Sequence, residues 1–233
     1  MSTAENIAKV RLALGQAAAE HGRNPASVHL LAVSKTFGAD AVIDAANAGQ
    51  VAFGENYLQE AIDKQQAVQT LRPDLALEWH FIGPIQSNKT RPIAEYFAWV
   101  HALDREKIAR RLSEQRPSNL PPLNVCLQVN VSSEDSKSGV APGEVLALAE
   151  VVATLPGLRL RGLMAIPEPA EDFESQRKPF ALLHTLQQQL REAGISTDTL
   201  SMGMSADMNA AVAEGATIVR IGTAIFGKRD YAK

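Results

Sequence analysis

Eight short apolar runs recur along the whole chain, and segments with helical spacing lie between them. The runs are Val28–Ser34, Val51–Glu55, Leu77–Gly83, Trp99–Asp104, Leu123–Val131, Leu158–Ile166, Thr199–Gly203 and Thr217–Gly222. Most are continuously apolar, as strands buried on both faces are, and strands separated by helices pair in parallel. Segments such as DREKIARRLSEQ, PGEVLALAEVVATL and SQRKPFALLHTLQQQLREAG supply the helices. Asp104, Pro142 and Ser205 stand at expected helix starts, and Gly157, Gly194 and Gly215 at expected stops. A further helix, Thr3 to His21, precedes the first strand. Eight strands in 233 residues favour a closed (β/α)8 barrel. An open doubly wound sheet is the alternative, because periodicity does not report closure. No linker or low-complexity tract interrupts the pattern, so residues 1–233 are expected to form one domain.

Several classes are set aside by composition. Hydrophobic residues make up 45% of the chain, enough for a large core, and the net charge of −3 gives no general nucleic-acid or membrane surface. The arginines of ARRLSEQR are interleaved with acids and read as a solvated helix face. The start, MSTAENIAKVRLALGQ, lacks the cationic and apolar regions of a signal peptide, and no apolar stretch reaches the ~20 residues of a bilayer span. The single cysteine, Cys126, sits in an apolar run and reads as a small core residue in a reducing compartment. A cytoplasmic location is expected.

In a (β/α)8 barrel the C-terminal strand ends face the site. Read in order, these ends give Ser34 and Lys35, then Glu55, Asn56 and Tyr57. His80 follows inside the third run, with Gln86, Asn88 and Lys89 in the loop beyond it. Asp104, Asn130 and Met164 come next, and the last two ends carry Ser201 with Ser205 and Arg220 with Gly222 and Thr223. SMGMSADM and RIGTAIFG have the chemistry of a phosphate cradle, and barrels often bind phosphate after strands 7 and 8. Taken alone, Ser205 reads equally well as a helix cap and Lys35 as a solvated loop lysine. Together they suggest a partly desolvated amine able to form a Schiff base with a phosphate-bearing aldehyde. Pyridoxal 5′-phosphate (PLP) is such a compound, and Arg220 shares a strand face with Gly222 from which to meet its ring nitrogen.

Seven collinear segments resemble the pyridoxal phosphate homeostasis protein family: AVSKT, FGENYLQE, WHFIGPIQSNK, QVNVSSEDSKSG, GLMAI, LSMGMSADM and RIGTAIFGKR. The resemblance implies a monomeric barrel similar to the N-terminal domain of alanine racemase, the fold type III arrangement of PLP proteins. It implies that Lys35 is the Schiff-base lysine and that Ser201, Ser205, Gly222 and Thr223 hold the phosphate. Arg220 would face the pyridine nitrogen, Asn56 and His80 would lie near the cofactor or its solvent side, and Met164 would pack beside the ring. Members are regarded as carriers or regulators in vitamin B6 and amino-acid balance, with apo forms of PLP-dependent enzymes as recipients.

The residues agree with a carrier. An arginine at the pyridine nitrogen leaves it unprotonated and makes the ring a weaker electron sink. Racemisation needs a second acid–base group, which a racemase draws from a further domain. Only residues 223–233 follow Gly222, so no such domain is expected. Tyr57 reads as packing at a helix start, Tyr96 lies in a helical run and Tyr231 near the end. His80 reads either as a hydrogen-bonded core residue or as a proton shuttle. Lys89, Lys137 and Lys228 read as solvated amines that meet free aldehyde transiently. A small PLP-dependent racemase or lyase, and a barrel enzyme acting on a sugar phosphate, are the alternatives.

Overall fold

The computed structural model describes residues 2–132 and 138–227, so Lys137, Lys228 and Tyr231 lie outside the described residues. Eight parallel strands close into a barrel: β1 (His29–Val33), β2 (Ala52–Glu55), β3 (Glu78–Phe81), β4 (Trp99–Leu103), β5 (Leu123–Gln128), β6 (Leu158–Met164), β7 (Thr199–Ser201) and β8 (Ile218–Ile221). Each expected run contains one strand, trimmed at one or both ends. Closure is made by β1 pairing with β8, with Leu31 opposite Arg220 and Ala32 opposite Ile221. The barrel fold expected from the sequence is therefore observed, and the open sheet is overturned.

Helices α1 (Thr3–Glu20), α2 (Ala39–Asn47), α3 (Leu58–Leu71), α4 (Thr90–Tyr96) and α5 (Glu106–Gln115) are followed by α6 (Val145–Ala153), α7 (Phe173–Glu192), α8 (Met208–Ala213) and α9 (Thr223–Phe226). α1 starts in a capping box: Ser2 accepts from the Glu5 amide while Glu5 accepts from the Ser2 amide. The expected caps need correction. Asp207, not Ser205, is the N-cap of α8, and Arg105, not Asp104, that of α5. Ser205 instead sits exposed in the turn ahead of Asp207, whose Oδ1 accepts from the Met204 amide at 2.6 Å.

Strand alternation sorts side chains into two cores. Ala32, Phe53, Val100, Val125, Leu163 and Val219 pack outward under the helices. Leu31, Trp99, Cys126, Met164 and Ile218 fill the lumen. Cys126 is fully buried, and desolvation pushes its thiol up to about 12, so it is the inert core residue expected. No helix among the described residues is long and apolar enough to cross a membrane.

Candidate functional site

Closure brings the ends of β7, β8 and β1 side by side. Lys35 follows β1 by two residues and is half-buried. Its turn is tightly determined. Thr36 has φ +70°, a strained value for a β-branched residue. The Thr36 amide donates to Glu60 Oε1 at 2.6 Å, and the Phe37 amide donates to the Ser34 carbonyl at 3.1 Å. Behind Lys35, Lys64 Nζ donates to the Ser34 carbonyl at 2.8 Å and to Glu55 Oε1 at 2.6 Å, while the Ser34 hydroxyl donates to the same Glu55 oxygen at 2.6 Å. Burial raises the Glu55 carboxyl above its ordinary range against the pull of Lys64. Lys64 was absent from the sequence expectations. Its signal was there, since Ala61, Lys64 and Val68 form one buried stripe of α3.

At the neighbouring ends, Gly203 has φ +93°, and a Cβ there would meet Ala211 Cβ at 2.5 Å. A Cβ on Gly222 would lie 3.1 Å from the Val33 carbonyl, so β8 ends directly against β1. Thr223 and Ser205 are exposed beyond these glycines. Asn56 follows β2 with a buried Oδ1 that has no hydrogen-bond partner among the described residues, and Met164 is fully buried in the lumen.

Ser201, expected at the phosphate, faces the lumen and is engaged there by protein partners. On a three-residue strand Leu200 points to the helices and Ser201 into the lumen, where it is fully buried. Its hydroxyl receives Arg220 Nη1 at 2.8 Å and lies 2.8 Å from His101 Nδ1. Arg220, 4% exposed, also donates through Nη2 to the Ala165 carbonyl at 2.9 Å. His101 Nε2 lies 2.9 Å from His80 Nδ1, and His80 Nε2 lies 2.9 Å from Glu78 Oε1. Of the two readings of His80, the geometry matches the hydrogen-bonded core residue: it is 2% exposed, which excludes a solvent-facing position. His101 was missed because its strand reads as uniformly buried, and only the closed barrel shows which face is the lumen.

A cavity of about 860 Å³ opens at the opposite, N-terminal strand ends, where Glu78, His80, Trp99, Arg161 and Asp198 meet. Lys35 is not part of it.

Burial disfavours the charged form of both lumen histidines. It holds His101 well below 6.5, helped by His80 and Arg220, and lowers His80 against the opposing pull of Glu78. An unfolded chain takes up these protons near pH 6.5 and the folded chain does not. Stability is therefore flat with respect to these groups above that pH and falls as pH drops below it. Glu55, raised, acts in the opposite sense, its contribution fading as pH rises above its unfolded value of 4.5. Urea melts at pH 7.5, 6.0 and 5.0 should show His101→Asn losing less stability on acidification than wild type, by up to about 1.4 kcal/mol per pH unit. Equal acid slopes in the two proteins would refute neutral burial of His101.

The fold and these strand ends define a barrel of the alanine racemase N-terminal-domain class, and the family model of that name matches residues 14–230. A pyridoxal phosphate homeostasis protein of Pseudomonas aeruginosa is 64% identical over 232 residues, 99% of this chain and 98% of that protein. PipY of Synechococcus elongatus PCC7942, in its structure with PLP bound, aligns with a TM-score of 0.84 at 36% identity, covering 97% of this chain and 100% of that one. Alanine racemase from Corynebacterium glutamicum, at 16% identity and a TM-score of 0.69, shares the fold over 98% of this chain and 62% of its own length. The chain belongs to the pyridoxal phosphate homeostasis protein family.

Proposed function

We propose that the whole chain acts as one PLP-binding barrel, a monomer in the cytoplasm, that holds the cofactor and supplies it to or buffers it for other enzymes. When bound, PLP supplies an aldehyde able to form a Schiff base with a protein amine. Lys35 is the amine assigned to it. Ser205, Gly222 and Thr223 are assigned to the phosphate, Arg220 to the pyridine nitrogen, Asn56 to the cofactor's polar edge and Met164 to the ring face. The donor set fits such a group: an amine on a fixed turn, a buried cation, an unpartnered Asn56 oxygen, and hydroxyls beside glycines where backbone approaches closely.

The observation that carries the reading is the β8–β1 pairing. It sets Arg220 opposite Leu31, and the segments that carry Lys35, Gly222 and Ser205 follow three adjacent strands. A carrier reading is supported by relatives named as homeostasis proteins. Tyr57 stands at the start of α3 as expected but is 53% exposed rather than packed there, and Tyr96 in α4 is 40% exposed. Apo forms of PLP-dependent enzymes are the proposed recipients. Protein loaded with PLP and freed of excess by gel filtration should restore activity to an apo-enzyme while leaving a panel of L-amino acids unchanged. Steady racemisation or lysis of an amino acid, lost in Lys35→Ala, would favour the enzyme alternative instead.

A further inference from the structure

Five side chains cross the lumen in a single file: Arg220, Ser201, His101, His80 and Glu78. With both imidazoles neutral, as their burial favours, the acceptor-only Glu78 carboxylate and donor-only Arg220 fix the protons between them. Arginine only donates, so the Ser201 oxygen accepts from Arg220; with both rings neutral, the direction of the rest is set from the Glu78 end, and the Ser201 proton goes to His101 Nδ1. His101 must then carry its proton on Nε2 and give it to His80 Nδ1. His80 in turn carries its proton on Nε2 and gives it to the Glu78 carboxylate, which only accepts. Hydrogen bonds aligned head to tail polarise one another, and here they run from a buried cation to an anion at the N-terminal opening. The Glu78 side chain is 46% exposed there, whereas His80, His101, Ser201 and Arg220 are all buried.

We infer that His101, backed by His80 and Glu78, is a positioning residue for Arg220: by taking the Ser201 proton it leaves the hydroxyl lone pairs facing the guanidinium and fixes the cation. This rests on the proposed placement of Arg220 at the cofactor's ring nitrogen. No carboxylate is hydrogen-bonded to the guanidinium among the described residues; Ser201 and the Ala165 carbonyl hold it. Without the histidine behind it, the Ser201 hydroxyl is free to turn its proton elsewhere, and the guanidinium loses a defined acceptor.

The test has two arms, and the first needs no cofactor. Long-range proton–nitrogen NMR on the cofactor-free protein at pH 7.5 should find His80 and His101 neutral, both protonated on Nε2. A proton on Nδ1 of either ring, or a charged ring, overturns the inference. The second arm measures PLP affinity and the visible absorption maximum. Ser201→Ala and His101→Leu should each weaken binding about tenfold and shift the maximum, as loss of a hydrogen bond to a charged group does. The double variant should be no worse than the weaker single, because both break one chain. His101→Asn, whose Oδ1 can still accept from Ser201, should recover most of the affinity. If Ser201 instead served the phosphate directly, the two losses would multiply, which contradicts the chain. Should His101→Leu not fold, Ser201→Ala and His101→Asn still decide the outcome. Wild type that binds no PLP would refute the proposed function and leave the NMR arm standing.

Discussion

Glu55→Met is expected to remove about 3 kcal/mol of unfolding free energy, and adding Lys64→Met is expected to restore most of it. The Glu55 and Lys64 side chains are 0% and 3% exposed, and their charged atoms lie 2.6 Å apart. Removing the carboxylate leaves an ammonium in the interior, which costs far more than the pair was worth. Glu60, 3.1 Å from Lys64 Nζ and with a side chain 35% exposed, keeps a partial partner and holds the loss toward the lower end of the usual range. Replacing both groups removes the charge altogether and leaves an apolar contact of similar volume. Urea melts of the two variants decide the matter. A single variant within 1 kcal/mol of wild type, or a double variant worse than the single, would contradict the buried-pair account. The pair also bears on function. It grips Ser34 from both the carbonyl and the hydroxyl, so Glu55→Met should loosen PLP retention even where the protein remains folded.

Lys35→Ala is expected to abolish the covalent hold on PLP while leaving the fold intact. The side chain is half-buried, and its loss should change unfolding free energy by no more than about 1 kcal/mol. The visible absorbance of the bound cofactor should disappear, and gel filtration should strip PLP that wild type retains. The phosphate loops and Arg220 would still bind PLP weakly, so a residual, freely exchanging affinity is the expected remainder. Absorbance and dialysis of the variant beside wild type measure both effects. A variant that keeps both the band and the retention would remove Lys35 from the account.

How much of this was legible depends on distance along the chain. Local patterns placed all eight strands and put Lys35, Asn56 and Gly222 at strand ends, because those readings need only neighbouring residues. Closure followed from the strand count and chain length, but the register that makes it was not legible, since the Leu31–Arg220 pairing joins segments from opposite ends of the sequence. Without that register the lumen partners are not visible, so the sequence did not show that Ser201, alternating with Leu200, turns inward to meet Arg220 and His101. His101 is invisible for the same reason, since only the closed lumen joins it to Ser201 and His80. Ser205 was read as a cap by residue type, yet the acidic Asp207 two positions on holds that role. Lys64 was a different kind of miss. A lysine on an otherwise apolar helix stripe asks for a buried acid, and Glu55, nine residues earlier, supplies it.

One amine, Lys35, set on a strained turn beside the β8–β1 seam, is proposed to take the aldehyde. Borohydride reduction of the PLP-loaded protein, followed by digestion and mass mapping of the modified lysine, tests it directly. The account predicts near-stoichiometric modification of the peptide carrying Lys35. Modification found on other lysines, with the Lys35 peptide unchanged, would contradict it.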